Sequence, residues 1–160
     1  MKCDITKFFD NIDHSILRGI ITTSVTDENT LWLVDKILHS FEKSAGKGLP
    51  LGNVTSQLFA NIYMNEFDQF VKHNLRAKHY LRYCDDFIIL NINKNELIQS
   101  LEKIKYFLEN RLGLCMHPDK IFLNKFSNGI DFLGFVVFPW HKIVRTKTKN
   151  RIFRKLEKDP

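Results

Sequence analysis

Two adjacent carboxylates, Asp85 and Asp86, sit between an aromatic run, His79-Tyr-Leu-Arg-Tyr-Cys, and an apolar run, Phe87-Ile-Ile-Leu. Like charges held side by side repel, so a fold that keeps both ionised usually supplies a cation. Ligation by oxygen alone suits a hard divalent ion, Mg2+ or Mn2+. Asp is also a favoured turn residue, and the same pair reads as a solvated turn between two strands. A third acid would decide between these readings if the fold brought it to the pair. Asp4 is the candidate, because Cys3 and Ile5 flank it in the alternation of a half-buried strand. Three carboxylates gathered from distant segments would suit two-metal phosphoryl transfer, in which cations about 4 Å apart stabilise the attacking and leaving oxygens.

The elements that must position these acids can be read in order. Residues 79–91 predict a β-hairpin with the acid pair at its turn. Asn11 or Asp13 can cap a helix starting at Asp13, and Asp27 can cap a second with an apolar stripe of Leu31, Val34, Ile37, Leu38 and Phe41. Residues 43–53 hold three of the seven Gly and predict a loop. A third helix is expected from Thr55, with Leu58, Ile62, Phe67 and Val71 facing the core. Asn93 or Asn95 caps a fourth, whose inner stripe is Leu97, Leu101, Ile104, Phe107, Leu108 and Leu112, and Gly113 closes it. Leu114–His117 and Ile121–Leu123 predict short extended pieces. Ile130–Phe138 is nearly all apolar, as in a strand covered on both faces. A turn at Pro139 leads back into Ile143-Val144, and a basic helix is expected from Lys147. The order suggests a split β-α-β arrangement with the first strand beside the central hairpin. The fold class is therefore α+β, an antiparallel sheet backed by helices.

The 160 residues, 44% hydrophobic, make one ordinary domain, and most of the fourteen Phe are expected to be buried. The net charge is +6, and the eight basic and two acidic residues from Lys142 onward account for all of it. A neutral body with a basic tail suggests a polyanionic partner near the C-terminus, or else a solvated helix face. Three widely spaced Cys argue against a disulfide framework or a zinc site and for a reduced, cytoplasmic protein in which each thiol is expected to be a small buried hydrophobe. No apolar run approaches membrane-spanning length.

Three blocks in order resemble the palm of a reverse transcriptase. Asp4-Ile-Thr-Lys-Phe-Phe-Asp-Asn-Ile-Asp-His resembles the family's first catalytic motif. Gly48-Leu-Pro-Leu-Gly-Asn-Val-Thr-Ser-Gln-Leu-Phe-Ala-Asn resembles its template- and nucleotide-binding motif, and Tyr83-Cys-Asp-Asp its signature turn. The likeness is to prokaryotic members, of group II intron, retron and diversity-generating retroelement types. It implies an RNA-directed DNA polymerase that joins dNTPs to a DNA primer on an RNA template, with a cognate structured RNA as a further partner.

The resemblance also implies roles. Asp4, Asp85 and Asp86 would be catalytic and would hold two Mg2+ or Mn2+ ions with the Ile5 carbonyl. Phe9 would be the steric gate against a 2′-hydroxyl, with a core aromatic as the alternative. Gly52, Asn53, Ser56 and Gln57 would line the incoming base and template. Lys120 would lie near the triphosphate, with a plain surface lysine as the alternative. Phe132-Leu-Gly-Phe resembles the primer-gripping hairpin, although core packing is the reading preferred for Phe132 and Leu133. Lys147, Lys149, Arg151 and Arg154 would contact duplex phosphates, so binding should weaken with salt. Residues 1–140 would be palm and 141–160 the start of the thumb. The fingers of the family are expected to be absent and the chain to be a piece of a longer protein.

Leu51 and Gln57 depart from the commoner pattern and resemble the diversity-generating branch, where this motif is tied to error-prone copying. Two other readings compete: a non-catalytic nucleic-acid-binding remnant, and a defence protein that adds nucleotides without a template.

Overall fold

The computed structural model describes residues 1–157, so the last three positions of the expected basic segment 141–160 lie outside the described residues. The chain forms two compact units that divide between Ile121 and Phe122. The boundary expected at residue 140 falls inside the second unit, in the connection between two of its strands.

The first unit is built on the antiparallel sheet β1 (Lys2–Cys3), β3 (Asp86–Leu90) and β2 (His79–Tyr83), in the order β1-β3-β2. Between β1 and β2 run α1 (Phe8–Asn11), α2 (His14–Thr22), α3 (Glu28–His39) and α4 (Val54–Gln69), the last widening into a π-turn at Phe70–Asn74. After β3 comes α5 (Lys94–Leu112), closed by Gly113 in the left-handed conformation at φ 59°. The chain then returns along the free edge of β1. Thr6 N–H donates to the Cys115 carbonyl at 2.9 Å, and His117 N–H to that of Asp4 at 2.9 Å, around an antiparallel bridge between Ile5 and Met116. This fourth extended piece completes the split β-α-β arrangement expected from the element order. The caps are also as expected: Asp13, Asp27 and Asn93 each accept from backbone N–H groups of their helices.

The core lies between sheet and helices. Phe67 of α4 packs edge-on against Phe87 of β3, at 4.9 Å between ring centroids, and Tyr80 of β2 and Phe107 of α5 close round it. Tyr63 is fully buried because its hydroxyl has a partner, donating to the Leu112 carbonyl at the end of α5.

Several expectations are corrected. The buried face of α4 is Ser56, Phe59, Ala60, Tyr63, Met64 and Phe67, continuing to Val71, while Leu58 is 57% exposed. Apolar residues occur on both sides of this helix, so periodicity alone does not set its phase. Only Val34 and Leu38 of the α3 stripe are buried, and Phe41 is exposed. Of the fourteen Phe, Phe8, Phe59, Phe67, Phe87 and Phe132 are buried. Cys3 is buried, with its thiol pKa pushed up to about 12 mainly by desolvation, whereas Cys115 is exposed.

The second unit is a three-stranded meander, β4 (Ile130–Phe132), β5 (Phe135–Val137) and β6 (Lys142–Val144), followed by α6 (Thr146–Leu156). The run expected as one strand is thus a hairpin. Leu133 and Gly134, at φ 50° and 85°, form a two-residue turn closed by the Phe132–Phe135 pair. Phe132 is buried as preferred, but Leu133 at the turn is 51% exposed. A meander and one helix are too small to enclose their aromatics, which is why Phe122, Phe126, Phe135 and Phe153 remain exposed. Among the described residues no helix is long and apolar enough to cross a membrane.

Candidate active site

The hairpin register sets the acids. Lys2 pairs with Ile88 and Cys3 with Phe87, so the next step places Asp4 opposite Asp86. Paired residues of an antiparallel ladder share a face, and Lys2, Asp4 and Asp86 therefore lie on one side of the sheet. Tyr83 pairs with Asp86 across a two-residue turn whose members are Cys84 and Asp85. Cys84 takes φ 52°, a conformation that usually calls for Gly and costs another residue about 1 kcal/mol.

The electrostatics place all three acids and one lysine in a single group. Burial raises the Asp85 carboxyl pKa above its ordinary value, and the negative charges of Asp4 and Asp86 raise it further. Its own backbone hydrogen bond and the Lys120 charge offset part of this. The 3₁₀ turn Pro118–Lys120, carried to the edge of β1 by the returning chain, delivers Lys120 Nζ to 3.0 Å from Asp4 Oδ2. The Lys120 pKa is raised chiefly by that bond and then by the charges of Asp4, Asp85 and Asp86. On the other flank Lys2 Nζ lies 3.4 Å from Asp86 Oδ1.

The donor set can be tested for a divalent ion. Ile5 and Met116 form a pair flanked by hydrogen bonds, not joined by them, so the Ile5 carbonyl points away from Met116. Three carboxylates and this carbonyl supply hard oxygen donors, and two ammonium groups already compensate the acids. Among the described residues, however, no three acidic, imidazole or thiol groups converge on a common point. Asp4 is engaged by Lys120 and Asp86 by Lys2. The donors suit a divalent cation in type, and in this arrangement Asp4 and Asp86 each pair with a lysine.

The remaining candidates are placed as follows. Phe9 is half-buried, edge-on to the buried Phe8 at 5.2 Å, and its carbonyl accepts from Leu49 N–H at 2.8 Å. The loop carrying the second motif is therefore tied to the segment of the first. Gly52 is exposed at φ 86°, with open space where a Cβ would stand. Asn53 caps α4, its Oδ1 accepting from Thr55 N–H and Oγ1–H. Ser56 is 1% exposed, and its hydroxyl is buried without a hydrogen-bond partner. Gln57 is exposed and accepts a long contact from the Cys84 thiol at 3.9 Å, joining α4 to the acid-bearing turn. In the second unit Lys147, Arg151 and Arg154 line an open depression of about 790 Å³, while Lys149 lies over the Phe153 ring.

The sequence reading did not single out what holds the turn. Arg82 Nη1–H donates to the Cys84 carbonyl at 3.0 Å, while Nε and Nη2 donate to the two oxygens of Asp68 on α4 at 2.8 and 2.6 Å. Tyr80 O–H also donates to Asp68, at 2.6 Å. Burial and the Asp68 charge keep the Tyr80 phenol protonated. The signal was available: an arginine in an aromatic strand two positions before the turn needs a carboxylate, and Asp68 lies at the end of a helix that must pack on that strand.

Residues 1–137 match the family described as reverse transcriptase (RNA-dependent DNA polymerase). The chain belongs to that family. It is 25% identical over 184 residues to Protein YkfC of Escherichia coli K12, across 91% of this chain and 47% of that protein. It is 25% identical over 201 residues to the group II intron-encoded protein LtrA of Lactococcus lactis subsp. cremoris, across 82% and 33%. The putative COX1/OXI3 intron 2 protein of Saccharomyces cerevisiae is 21% identical across 89% and 24%. The chain thus spans between about a quarter and a half of the length of these curated relatives. Its fold is similar to apo telomerase from Candida tropicalis truncated from its C-terminal domain. The TM-score is 0.64 and the identity 18%, over 89% of this chain and 34% of that one. That likeness supports the α+β palm.

Proposed function

We propose that this chain carries the catalytic centre of an RNA-directed DNA polymerase of the intron-encoded type, working within a longer protein. The observation that carries the proposal is the meeting of Asp4 with the Asp85-Asp86 turn, two segments far apart in sequence whose carboxylates feel one another's charge. In a purely structural role such an arrangement costs stability and returns nothing. In nucleotidyl transfer it would hold two Mg2+ ions, and these would lower the pKa of a primer 3′-hydroxyl and neutralise triphosphate charge.

The chain's own residues supply the rest. Asp4, Asp85, Asp86 and the Ile5 carbonyl would hold the ions. Lys120, whose ammonium group lies beside the acids, would protonate the departing pyrophosphate. Phe9 excludes a 2′-hydroxyl beneath the sugar of the incoming nucleotide, and Gly52 lets the base or template strand approach the backbone. Lys147, Lys149, Arg151 and Arg154 bind phosphates of the primer–template, and the names of the relatives support a structured intron RNA as a partner.

Primer extension tests the reading. The protein containing this chain should add dNTPs, in the order an RNA template dictates, when Mg2+ is present, and Asp85→Ala should abolish this. Template-independent products would favour the defence-protein reading, and salt-sensitive binding without extension would favour a non-catalytic remnant. Either would overturn the proposal.

A further inference from the structure

Trp140 stands at the tip of the turn between β5 and β6 and is 95% exposed. Scattered exposed apolar residues are ordinary and need no explanation, but this one is held out on a braced support. The Phe138 ring stacks on the His141 imidazole with centroids 4.7 Å apart and planes 14° apart. Phe138 N–H donates to the His141 carbonyl at 2.8 Å. Gly129, at φ 78°, also packs against the Phe138 ring: a Cβ there would come within 2.9 Å of the ring and 2.6 Å of Val136 Cγ1. The turn is thus clamped by an aromatic stack and a glycine cradle, and the indole between them is left uncovered. Among the described residues no ring, carboxylate or cation pairs with it.

The unit that presents this indole is strongly basic. Its described residues hold eight Lys and Arg against Asp131 and Glu157, and Asp131 is engaged by Arg145 at 3.2 Å. A rigid, fully exposed aromatic face within a positive field is what an unpaired nucleobase needs: cations for the phosphates and a flat surface for the ring. We infer that Trp140 is a stacking platform for an unpaired base of single-stranded nucleic acid bound by the second unit. The inference rests on the polymerase reading for the class of its partner and extends that reading to a residue outside all three motifs.

The test uses fluorescence and needs no catalysis. Within this chain Trp32 is the other of the two tryptophans, and Trp32→Phe leaves Trp140 as the chain's one indole reporter. Titration with a short oligothymidylate should quench Trp140 saturably. Trp140→Ala should weaken binding about tenfold, Trp140→Phe should restore most of it, and the dependence on salt should stay the same in all three. Salt-sensitive binding with no quenching and no effect of Trp140→Ala would overturn the inference and leave the polymerase reading standing. An emission change on phosphatidylserine vesicles but none on the oligonucleotide would overturn it in favour of a membrane surface, and so would failure to bind oligonucleotide at all. Quenching by oligonucleotide in a protein that fails primer extension would uphold the inference and sink the polymerase reading.

Discussion

Lys120 Nζ lies 3.0 Å from Asp4 Oδ2, so the ammonium group from the edge of the sheet is the partner of the first acid of the site. A divalent ion at Asp4 would compete with this contact, and under the proposed function Lys120 would serve the triphosphate. Lys120→Met should slow extension by about 100-fold, the scale of lost general-acid catalysis. The Mg2+ concentration giving half-maximal rate should not increase, because the variant removes a competitor for Asp4. Single-turnover kinetics across a Mg2+ series check both parts.

Asp85 should be a stability cost that divalent ions relieve. Its pKa is raised above the ordinary 3.8, so in the window between that value and the raised one the folded chain holds the proton more tightly than the unfolded chain. The Asp85 contribution to stability is therefore most favourable below the window and is lost as pH rises through it. Asp85→Asn should raise Tm by a few degrees at neutral pH and not below the window. Mg2+ should raise the Tm of the wild type and not of the variant. Thermal melts at two pH values, with and without the ion, read this directly.

Arg82 should be needed for both fold and turn. Its guanidinium side chain is 10% exposed and forks onto Asp68 while holding the Cys84 carbonyl. Arg82→Ala leaves Asp68 partly buried without its cation and should destabilise the first unit by about 3 kcal/mol. Arg82→Lys keeps the charge but not the fork, and should restore stability more than activity. Denaturant titration beside primer extension separates the two.

Much of this was legible in the sequence, for physical reasons that particular residues illustrate. Asp85-Asp86 between two β-forming runs gave the hairpin, because a two-residue turn and its flanking strands are local. Asp13, Asp27 and Asn93 gave three helix starts, because a cap is a contact over two or three residues. The meeting of Asp4 with the turn followed from the order of elements. What failed was phase and coverage. Tyr63 belongs to the buried face of α4 through a hydroxyl bond to Leu112, a partner far away in sequence. Leu133-Gly134 turns an unbroken apolar run into a hairpin, and hydropathy does not register a change of φ. Arg82 and Asp68 escaped notice because a charge pair between a strand and a helix has no sequence period.

Gly129 should tolerate no side chain. A Cβ there would meet Val136 Cγ1 at 2.6 Å in a backbone conformation L residues rarely adopt. Gly129→Ala should destabilise the meander by about 2 kcal/mol or more. Hydrogen exchange should show the loss in β4 and β5 and leave α5 unchanged.

If the proposed function holds, Asp4 and the Asp85-Asp86 turn share bound divalent metal. Fe2+ substituted for Mg2+, with ascorbate and peroxide, generates radicals that cut the backbone beside the ion. Cleavage should occur at two places in the same chain, next to Asp4 and next to Asp85, and be suppressed together by excess Mg2+ and by Asp85→Asn. Cleavage at one of these segments alone, or at neither, would contradict it.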